Sequence, residues 1–329
     1  MSATSLRIVS VFGATGLQGG AVLDGLLEDG TFTPRAITRD PDSEASKKLK
    51  ARGVEVVKGD PLDKAELVTA LRGSEGVFAM TMPSFTGQQS EITQGKNMVD
   101  AAREVGVRFF IFSSLPSLAK MSGGKYPNAY QYDDKAAIQE YLESSGLMNA
   151  SLLLPAFLEN YWKANAMTPK ASKGFQESYQ TSSKMPKATN AVPIAPNGYQ
   201  VSLPSFQADD LQGFCWIGRD LPATVLGLLK NYADPTKQIN GKAYPVVNDR
   251  VSYGKLAEMT AKVLGKEVTY VTAPPTQIPA LDDMWSALAE YSGLYTETPI
   301  PNPDLVALGV KFSTVEEFLQ TEVKSRYGH

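Results

Sequence analysis

The chain has 329 residues, a formal net charge of −3 and 43% hydrophobic residues, enough for a large core. This slightly acidic charge gives no reason to expect direct nucleic-acid binding, which usually requires a basic surface. The single cysteine excludes an intrachain disulfide, and the only histidine, His329, is the last residue, so a histidine-based catalytic or metal site is disfavoured. Acid–base chemistry would then use Lys, Tyr, Asp, Glu, water or a cofactor, and we expect no metal.

The sequence also suggests where the protein works. The segment of residues 1–7 is short and polar and does not have the pattern of a secretory leader. No apolar run in the sequence is long enough to span a bilayer. We therefore expect a cytoplasmic protein without a membrane partner, with the nucleus as the alternative compartment.

Short β-branched or aromatic runs alternate with amphipathic segments throughout the first half of the chain. Strands are predicted at Arg7–Phe12, Arg35–Thr38, Val54–Lys58, Gly76–Met80, Arg108–Phe112 and Ser151–Leu154. Helices are predicted at Leu17–Leu27, Ser43–Arg52, Lys64–Leu71, Glu91–Val105 and Asp134–Ser145. This alternation predicts an α/β fold with a doubly wound parallel sheet, whose ligands bind beyond the carboxyl ends of the strands.

The second half is less regular. Residues 168–204 are rich in Lys, Ser, Thr, Asn and Pro, which favours a surface loop or hairpin; the alternative is a lid over a ligand cleft. Helices and strands then resume. We expect residues 1–160 to form the first domain and residues 161–329 a smaller C-terminal α/β subdomain, with segments around 205–250 returning to the first sheet.

A glycine-rich loop, GATGLQGG (residues 13–20), lies between the first predicted strand and the first helix. In a nucleotide-binding loop of this type, Gly13 permits the tight turn, Gly16 admits a pyrophosphate and Gly19 lets the helix pack on the sheet. The diphosphate would lie at the positive end of the helix. This context predicts a Rossmann-type dinucleotide site, and the other loop residues predicted to contact the cofactor are Thr15, Leu17 and Gln18.

The end of the second strand favours NADP(H). NAD-preferring sites generally place an acidic residue there, whereas this sequence reads Thr38-Arg39 before Asp40. The Arg39 guanidinium can pair with a 2′-phosphate and stack on adenine. Two alternatives remain: Asp40 is the displaced acidic residue, or Arg39 is only a solvated surface side chain.

Several longer segments resemble a known family. VFGATGLQGGAVLDGLL, AITRDPDS, RFFIFSSL, YDDKAAIQEYLESSGL and LLLPAFLENYW are similar to the NmrA-like family of atypical short-chain dehydrogenases, and the resemblance covers most of the chain. It implies a protein that binds NADP(H) or NAD(P) and consists of a Rossmann domain with a smaller C-terminal α/β subdomain. The family includes both oxidoreductases and redox-sensing regulators that act through protein partners.

The resemblance also implies further cofactor contacts. It places Asp60, Pro61 and Leu62 beside the adenine ring, and Met80 and Thr81 along the adenosine ribose and the pyrophosphate. The segment Pro155–Phe157 would lie near the nicotinamide, so Pro155 and Phe157 are predicted contacts. From the residues alone, Asp60 instead caps the following helix, and Met80 and Phe157 belong to the core.

The catalytic residues are less clear from the sequence. Ordinary short-chain dehydrogenases use a serine and a tyrosine four residues before a lysine; here Lys135 has Gln131 at that position, flanked by Tyr130 and Tyr132. Lys135 could be the acid–base group, as in isoflavone-reductase-like relatives, or a neighbouring tyrosine could substitute, or the site could be inert with Lys135 binding ribose. The predicted catalytic residues are Lys135, Tyr132 and Ser114, and Ser113 and Lys135 are also predicted cofactor contacts.

These features predict an NADP(H)-dependent oxidoreductase that reduces a small apolar or aromatic carbonyl, enone or imine. The alternative is a catalytically inactive NADP(H)-sensing regulator that acts through a protein partner, and an isomerase or cyclase that uses the nucleotide structurally is a third hypothesis. The aromatic residues predicted to line the substrate pocket are Phe157, Tyr161, Trp162, Phe175, Tyr179 and Trp285.

Overall fold

A computed structural model describes residues 7–83, 91–164, 166–170 and 198–328. Most of the predicted 168–204 loop lies outside these residues, as do Phe175, Tyr179 and His329. The interpretations of that loop as a hairpin or a lid therefore stay predictions.

The described chain forms thirteen strands and thirteen α-helical segments. The strands are β1 Ile8–Phe12, β2 Thr33–Thr38, β3 Glu55–Lys58, β4 Ser74–Ala79, β5 Phe109–Ser114, β6 Asn149–Leu153, β7 Ala156–Phe157, β8 Met167–Pro169, β9 Tyr199–Pro204, β10 Leu211–Cys215, β11 Lys242–Pro245, β12 Asp249–Ser252 and β13 Val268–Ala273. The helices are α1 Leu17–Asp29, α2 Glu44–Ala51, α3 Lys64–Leu71, α4 Glu91–Glu104, α5 Leu118–Met121, α6 Tyr130–Ser144, α7 Asn160–Lys163, α8 Asp220–Asn231, α9 Tyr253–Leu264, α10 Pro279–Glu290, α11 Pro303–Ala307, α12 Val315–Phe318 and α13 Lys324–Tyr327. A π-helical turn at Leu319–Val323 joins the last two helices, and a 3₁₀ turn lies at Pro235–Lys237.

Seven strands form the central sheet in the order β11-β6-β5-β4-β1-β2-β3, and every neighbouring pair is parallel. The strand order reverses between β1 and β4, so a crevice opens beyond their carboxyl ends, where ligands of doubly wound sheets bind. The predicted doubly wound α/β fold is confirmed. The last strand of the sheet, β11, comes from the second half of the chain.

Two smaller sheets complete the fold. One has the order β12-β10-β7 and the other the order β13-β9-β8. Strand β7 follows β6 directly, so the chain passes from the central sheet into the first small sheet at residues 154–157. The predicted domain boundary at residue 160 stays a prediction.

The apolar side chains of the central strands point alternately to the two faces of the sheet, so they form two separate core layers. In β5, Phe109 and Ile111 pack in the apolar cluster that contains α1 and α8, whereas Phe110 and Phe112 pack in the cluster that contains α3, α4 and α6. Successive side chains of a strand point to opposite faces, so a strand buried on both faces is apolar throughout. A third cluster, with Phe206, Tyr253 and Phe318 among its members, lies in the C-terminal half.

Helices α4 and α6 touch through a glycine. A side chain added at Gly95 in α4 would come within 2.5 Å of two Ile138 carbons in α6, so only glycine allows this approach. Gly95 lies one turn after Glu91, and Ile138 lies three residues after Lys135. The contact therefore brings the first turn of α4 beside Lys135.

We expect Gly95→Ala to lower the free energy of unfolding by up to about 2 kcal/mol. Overpacking usually costs about 1–3 kcal/mol, and alanine regains roughly 1 kcal/mol of this in a helix. Chemical denaturation of the variant would measure the loss. In an Ile138→Ala background the same change should cost less, because the opposing carbons are gone; an equal cost in both backgrounds would contradict this explanation.

Candidate functional site

A cleft of about 560 Å³ lies at the carboxyl ends of β1 to β4. This volume is typical of small-molecule sites. Twelve of the residues predicted to bind a cofactor line the cleft: Gly13, Thr15, Gly16, Leu17, Gln18, Gly19, Arg39, Asp60, Pro61, Leu62, Met80 and Phe157. Thr81, Ser113, Lys135 and Pro155 are not among its lining residues.

The glycine loop forms one end of the cleft. Gly13 has a φ of +65°, in the region that favours glycine, and the Gly16 N–H donates to the Gly13 carbonyl at 2.8 Å. A side chain at Gly19 would lie 2.4 Å from the carbonyl oxygens of Phe12 and Gly13, so helix α1 packs directly on the end of β1. No side chain of the described residues caps α1, and its first turn carries no acidic group. The amide groups at this helix end therefore suit an anion.

Arg39 lies at the far side of the same cleft, directly after β2. Its side chain is exposed, and within the described residues it makes no hydrogen bond or ion pair. Asp40 Oδ1, in contrast, accepts the Asp42 N–H at 3.0 Å, and the Asp40 carbonyl accepts the Ser46 hydroxyl at 2.7 Å. One oxygen of the Asp40 carboxylate is thus held in a local turn, Asp40 itself also lines the cleft, and the Arg39 guanidinium is available to a ligand.

The loop after β3 forms the wall between Arg39 and α4. Asp60 Oδ1 accepts the Leu62 N–H at 2.9 Å, and Asn97 donates to the Pro61 carbonyl at 2.9 Å. Leu62 is 40% exposed, which leaves an apolar surface facing the cleft. The interpretation of Asp60 as the cap of α3 is wrong, because Asp63 occupies the cap position and accepts the Glu66 N–H.

The two serines at the end of β5 have different surroundings. The Ser113 hydroxyl donates to Gln18 Oε1 at 2.7 Å, so it is linked to the cleft through a lining residue. The Ser114 hydroxyl lies within 3.4 Å of the Lys135 carbonyl and is 1% exposed. Ser114 therefore bonds to the backbone of α6 and is not brought to the cleft.

The tyrosines near Lys135 are fixed in the helix. Helix α6 begins at Tyr130, four residues before the predicted start at Asp134, because an additional turn packs against the C-terminal half. Tyr130 is half exposed, whereas Tyr132 is buried in the C-terminal apolar cluster, and this burial raises the pKa of the Tyr132 hydroxyl. The structure does not join Tyr132 to Lys135, and the catalytic role predicted for Tyr132 stays a prediction.

Lys135 is buried in a charged cluster beside the cleft. Its ammonium group donates to the Thr81 hydroxyl at 2.8 Å, to the Thr81 carbonyl at 3.1 Å and to Glu91 Oε1. The Thr81 hydroxyl donates in turn to Glu91 Oε1 at 2.5 Å. Burial lowers the pKa of Lys135, and the charge of Glu91 opposes this effect.

Glu91 was not among the residues predicted from the sequence. A glutamate at the first position of a helix is usually a solvated residue that complements the helix dipole, so its type and position carried no signal. Only the packing of α4 on α6 makes this carboxylate a buried partner of Lys135.

A small apolar pocket of about 70 Å³ lies behind Phe157. The Phe157 side chain lines both this pocket and the cleft, so it forms the wall between them. Of the predicted aromatic residues, Tyr161 and Trp285 line the pocket, whereas Trp162 stacks on Phe318. The sequence analysis missed two lining aromatic residues, Phe214 and Tyr253.

A larger, more open groove of about 740 Å³ lies between α1 and α8. Its lining includes three acidic residues, Asp24, Glu28 and Asp29. The lining also includes two basic residues, Lys163 and Arg219, and shares Thr15, Gly16 and Leu17 with the cleft, but the groove does not reach the ends of the other sheet strands. The cleft beside Arg39 is therefore the better candidate for an anionic ligand.

The family follows from comparison with known sequences. The profile of the NmrA-like family matches residues 6–319. The chain belongs to the NmrA-like family. This NmrA-like protein is 28% identical over 280 residues to the oxidoreductase malD of Malbranchea aurantiaca, which covers 82% of this chain and 76% of malD. It is 38% identical over 161 residues to the oxidoreductase FrzB of a Cladobotryum species, covering 47% of this chain and 48% of FrzB, so the match spans about half the length of that relative.

A solved structure has the same fold. The negative transcriptional regulator NmrA, in complex with NADP, superimposes with a TM-score of 0.73, covering 97% of this chain and 96% of NmrA. The sequence identity is 17%, so the likeness concerns the fold alone.

The described residues show no sign of two other kinds of site. Among the described residues, no helix is both long and apolar enough to cross a membrane. Over the same ranges, no group of three or more His, Cys, Asp or Glu side chains is arranged to hold a metal ion.

We expect Gly19→Ala to destabilise the NmrA-like protein by about 1–3 kcal/mol, because the added carbon meets rigid backbone of β1. Thermal unfolding of the purified variant would measure the loss. Gly20→Ala is the matched control, since its added carbon finds its nearest atom at 3.4 Å, and it should be neutral or stabilising. Equal stability of the two variants would argue against a close contact at Gly19.

Proposed function

We propose that this NmrA-like protein is an NADP(H)-dependent oxidoreductase that reduces a small apolar or aromatic carbonyl, enone or imine. One observation carries the proposal: a single cleft has an anion-binding helix end and Arg39 among its lining residues and is bounded by Phe157, with an apolar pocket behind it. Charged groups suited to phosphates and an apolar wall suited to a substrate thus share one cavity.

The residues of the cleft fit a nicotinamide dinucleotide. The glycine loop and the start of α1 would hold the pyrophosphate, and Leu62 would contact the adenine ring. Arg39 favours NADP(H) over NAD(H), because its charge is available for a 2′-phosphate while one oxygen of the Asp40 carboxylate is held in its own turn. The similarly folded NmrA has been solved both with NADP and with NAD, which supports a nicotinamide dinucleotide but not the choice between the two. When bound, the cofactor supplies the hydride.

The protein's own groups would then orient the substrate and supply little else. Phe157 and the pocket behind it exclude water and hold an apolar group. All three N–H groups of Lys135 are engaged by Thr81 and Glu91, so an acid–base role for Lys135 would require one of these bonds to break. We therefore assign the proton of the product to solvent water, which suits an activated enone or imine acceptor better than an unactivated ketone.

A second function is favoured by the same lysine. Gln131 replaces the usual tyrosine, and the Lys135 ammonium group lies in a buried cluster, with Lys135 not among the lining residues of the cleft. Such a site would bind a cofactor without turning over a substrate. The protein would then be an NADP(H)-sensing regulator that acts through a protein partner, and the similarly folded NmrA is itself a transcriptional regulator.

We expect Arg39→Ala to weaken NADPH binding about 10- to 100-fold, the usual loss for a charge-assisted contact, while NADH binding changes little. Isothermal titration calorimetry with both coenzymes would measure the difference. Arg103→Ala, which removes an exposed arginine of α4 that is not part of the cleft lining, is the matched control. If the native protein binds NADH as tightly as NADPH, the preference for NADP(H) is wrong.

Turnover distinguishes the two functions. We expect the native protein to consume NADPH with at least one member of a panel of quinones, enones and aromatic imines. In Phe157→Ala the preference should shift by at least about tenfold in kcat/KM towards bulkier aromatic members, because the wall to the apolar pocket is removed. NADPH absorbance would follow both reactions.

The matched control for this shift is Phe318→Leu, which alters a buried apolar side chain of the C-terminal cluster, where Phe214 and Tyr253 of the pocket also lie, but which does not itself line the pocket. An unchanged preference in Phe157→Ala would contradict the assignment of the pocket to the substrate. Tight NADPH binding with no turnover of any compound would favour the regulator.

A further inference from the structure

We propose that Glu91 is a positioning residue of the cleft: its buried carboxylate keeps Lys135 charged and, together with this lysine, fixes Thr81 and the end of β4 that borders the cofactor site. The inference rests on the proposed NADP(H) site for its consequence in binding. The ion pair itself can be tested without any cofactor.

The contacts around Lys135 leave its ammonium group no free N–H. An ammonium group has three N–H groups, and the Thr81 carbonyl, the Thr81 hydroxyl and Glu91 Oε1 accept them. The side chains of Lys135 and Glu91 are 11% and 1% exposed. The cluster is therefore an interior ion pair closed by Thr81, unlike the exposed pairs found elsewhere on the surface.

The pair also bears on the cleft. Thr81 stands between Met80 and Met82, and both of these methionines line the cleft. One turn after Glu91, the Gln94 side chain accepts the Met82 N–H at 3.3 Å and donates to the Met82 carbonyl at 3.2 Å. The first turn of α4 thus holds two consecutive residues of this wall, Thr81 through Glu91 and Met82 through Gln94.

The charge of the cluster follows from its neighbours. The negative charges of two carboxylates, Glu91 from α4 and Asp134 from α6, stabilise the charged form of Lys135. The charge of Asp133 in turn raises the pKa of Asp134. Burial lowers the pKa of Lys135, and the negative charge of Glu91 opposes this shift. Burial also raises the pKa of Asp134, and the charge of Glu91 adds to that shift. Without the Glu91 charge, Lys135 would lose its proton at a lower pH.

The alternative is that the Glu91–Lys135 ion pair is purely structural. In that case its loss would lower stability and leave the pH dependence of cofactor binding unchanged. A positioning role predicts more: because Glu91 acts through the charge of Lys135, the two residues must be coupled, and the coupling must change with pH.

The first measurement is thermal stability as a function of pH, without cofactor. In Glu91→Gln the unpaired lysine favours its neutral form in the folded state, so the melting temperature should rise with pH as Lys135 loses its proton. In Lys135→Met the unpaired carboxylate favours its protonated form, so the melting temperature should rise as the pH falls. The double variant carries neither charge, should lack both trends and should be more stable than either single variant.

The second measurement is the dissociation constant for NADPH between about pH 6 and pH 10, a range that covers the titration of a perturbed lysine. We expect Glu91→Gln to weaken binding about tenfold at the upper end of this range, with the loss beginning at a lower pH than in the native protein. Glu91→Asp, which keeps the charge, should restore a profile closer to the native one. The double variant should bind no more weakly than Lys135→Met.

The outcomes separate the two proposals. If the melting temperatures show no opposite pH trends, Glu91 does not keep Lys135 charged and the inference is overturned. If the melting temperatures show the opposite pH trends but the NADPH dissociation constant depends on pH in the same way in Glu91→Gln and the native protein, the positioning role is overturned. Glu91 and Lys135 then form a structural ion pair only. If native protein with the expected melting behaviour binds no NADPH, the proposed function and the positioning role both fail, and the ion pair alone stands.

Discussion

The contact between helix α1 and the end of strand β1 determines where this NmrA-like protein can bind a ligand. Gly19 approaches the carbonyls of Phe12 and Gly13 more closely than any side chain would allow. The first amide groups of α1 are thereby held at the crevice where the strand order reverses, in the same cleft as Arg39 and Leu62. The rest of the cleft is built around this helix end.

A second close contact organises the other side of the sheet. Gly95 lets α4 approach α6, and this approach brings the Glu91 carboxylate to Lys135 and Thr81. A buried charge is tolerated only with a partner, so the two helices and the end of β4 depend on one another. Lys135, for which the sequence predicts a catalytic role, is in this structure a member of that buried cluster.

The two glycine contacts differ in how far the sequence reveals them. Gly13, Gly16 and Gly19 follow a strand and precede a helix at a recognisable spacing, so their roles can be predicted locally, and Arg39 follows from its place after the next strand. Gly95, in contrast, lies inside a helix with no motif around it, and Glu91 has the appearance of a solvated first-turn acid. Their roles arise from residues about forty positions away.

The sequence by itself determined the doubly wound sheet, the succession along the chain of its first six strands and of helices α1 to α4 and α6, and the loop that faces the cleft, because these depend on periodicities and spacings within a few residues. Only the tertiary structure decided that Ser113 and not Ser114 is linked to the cleft, that Tyr132 is buried in the C-terminal half, and that Phe157 separates two cavities. These outcomes depend on which surfaces of distant elements meet, and side-chain direction on a helix or strand is set by that packing rather than by local sequence.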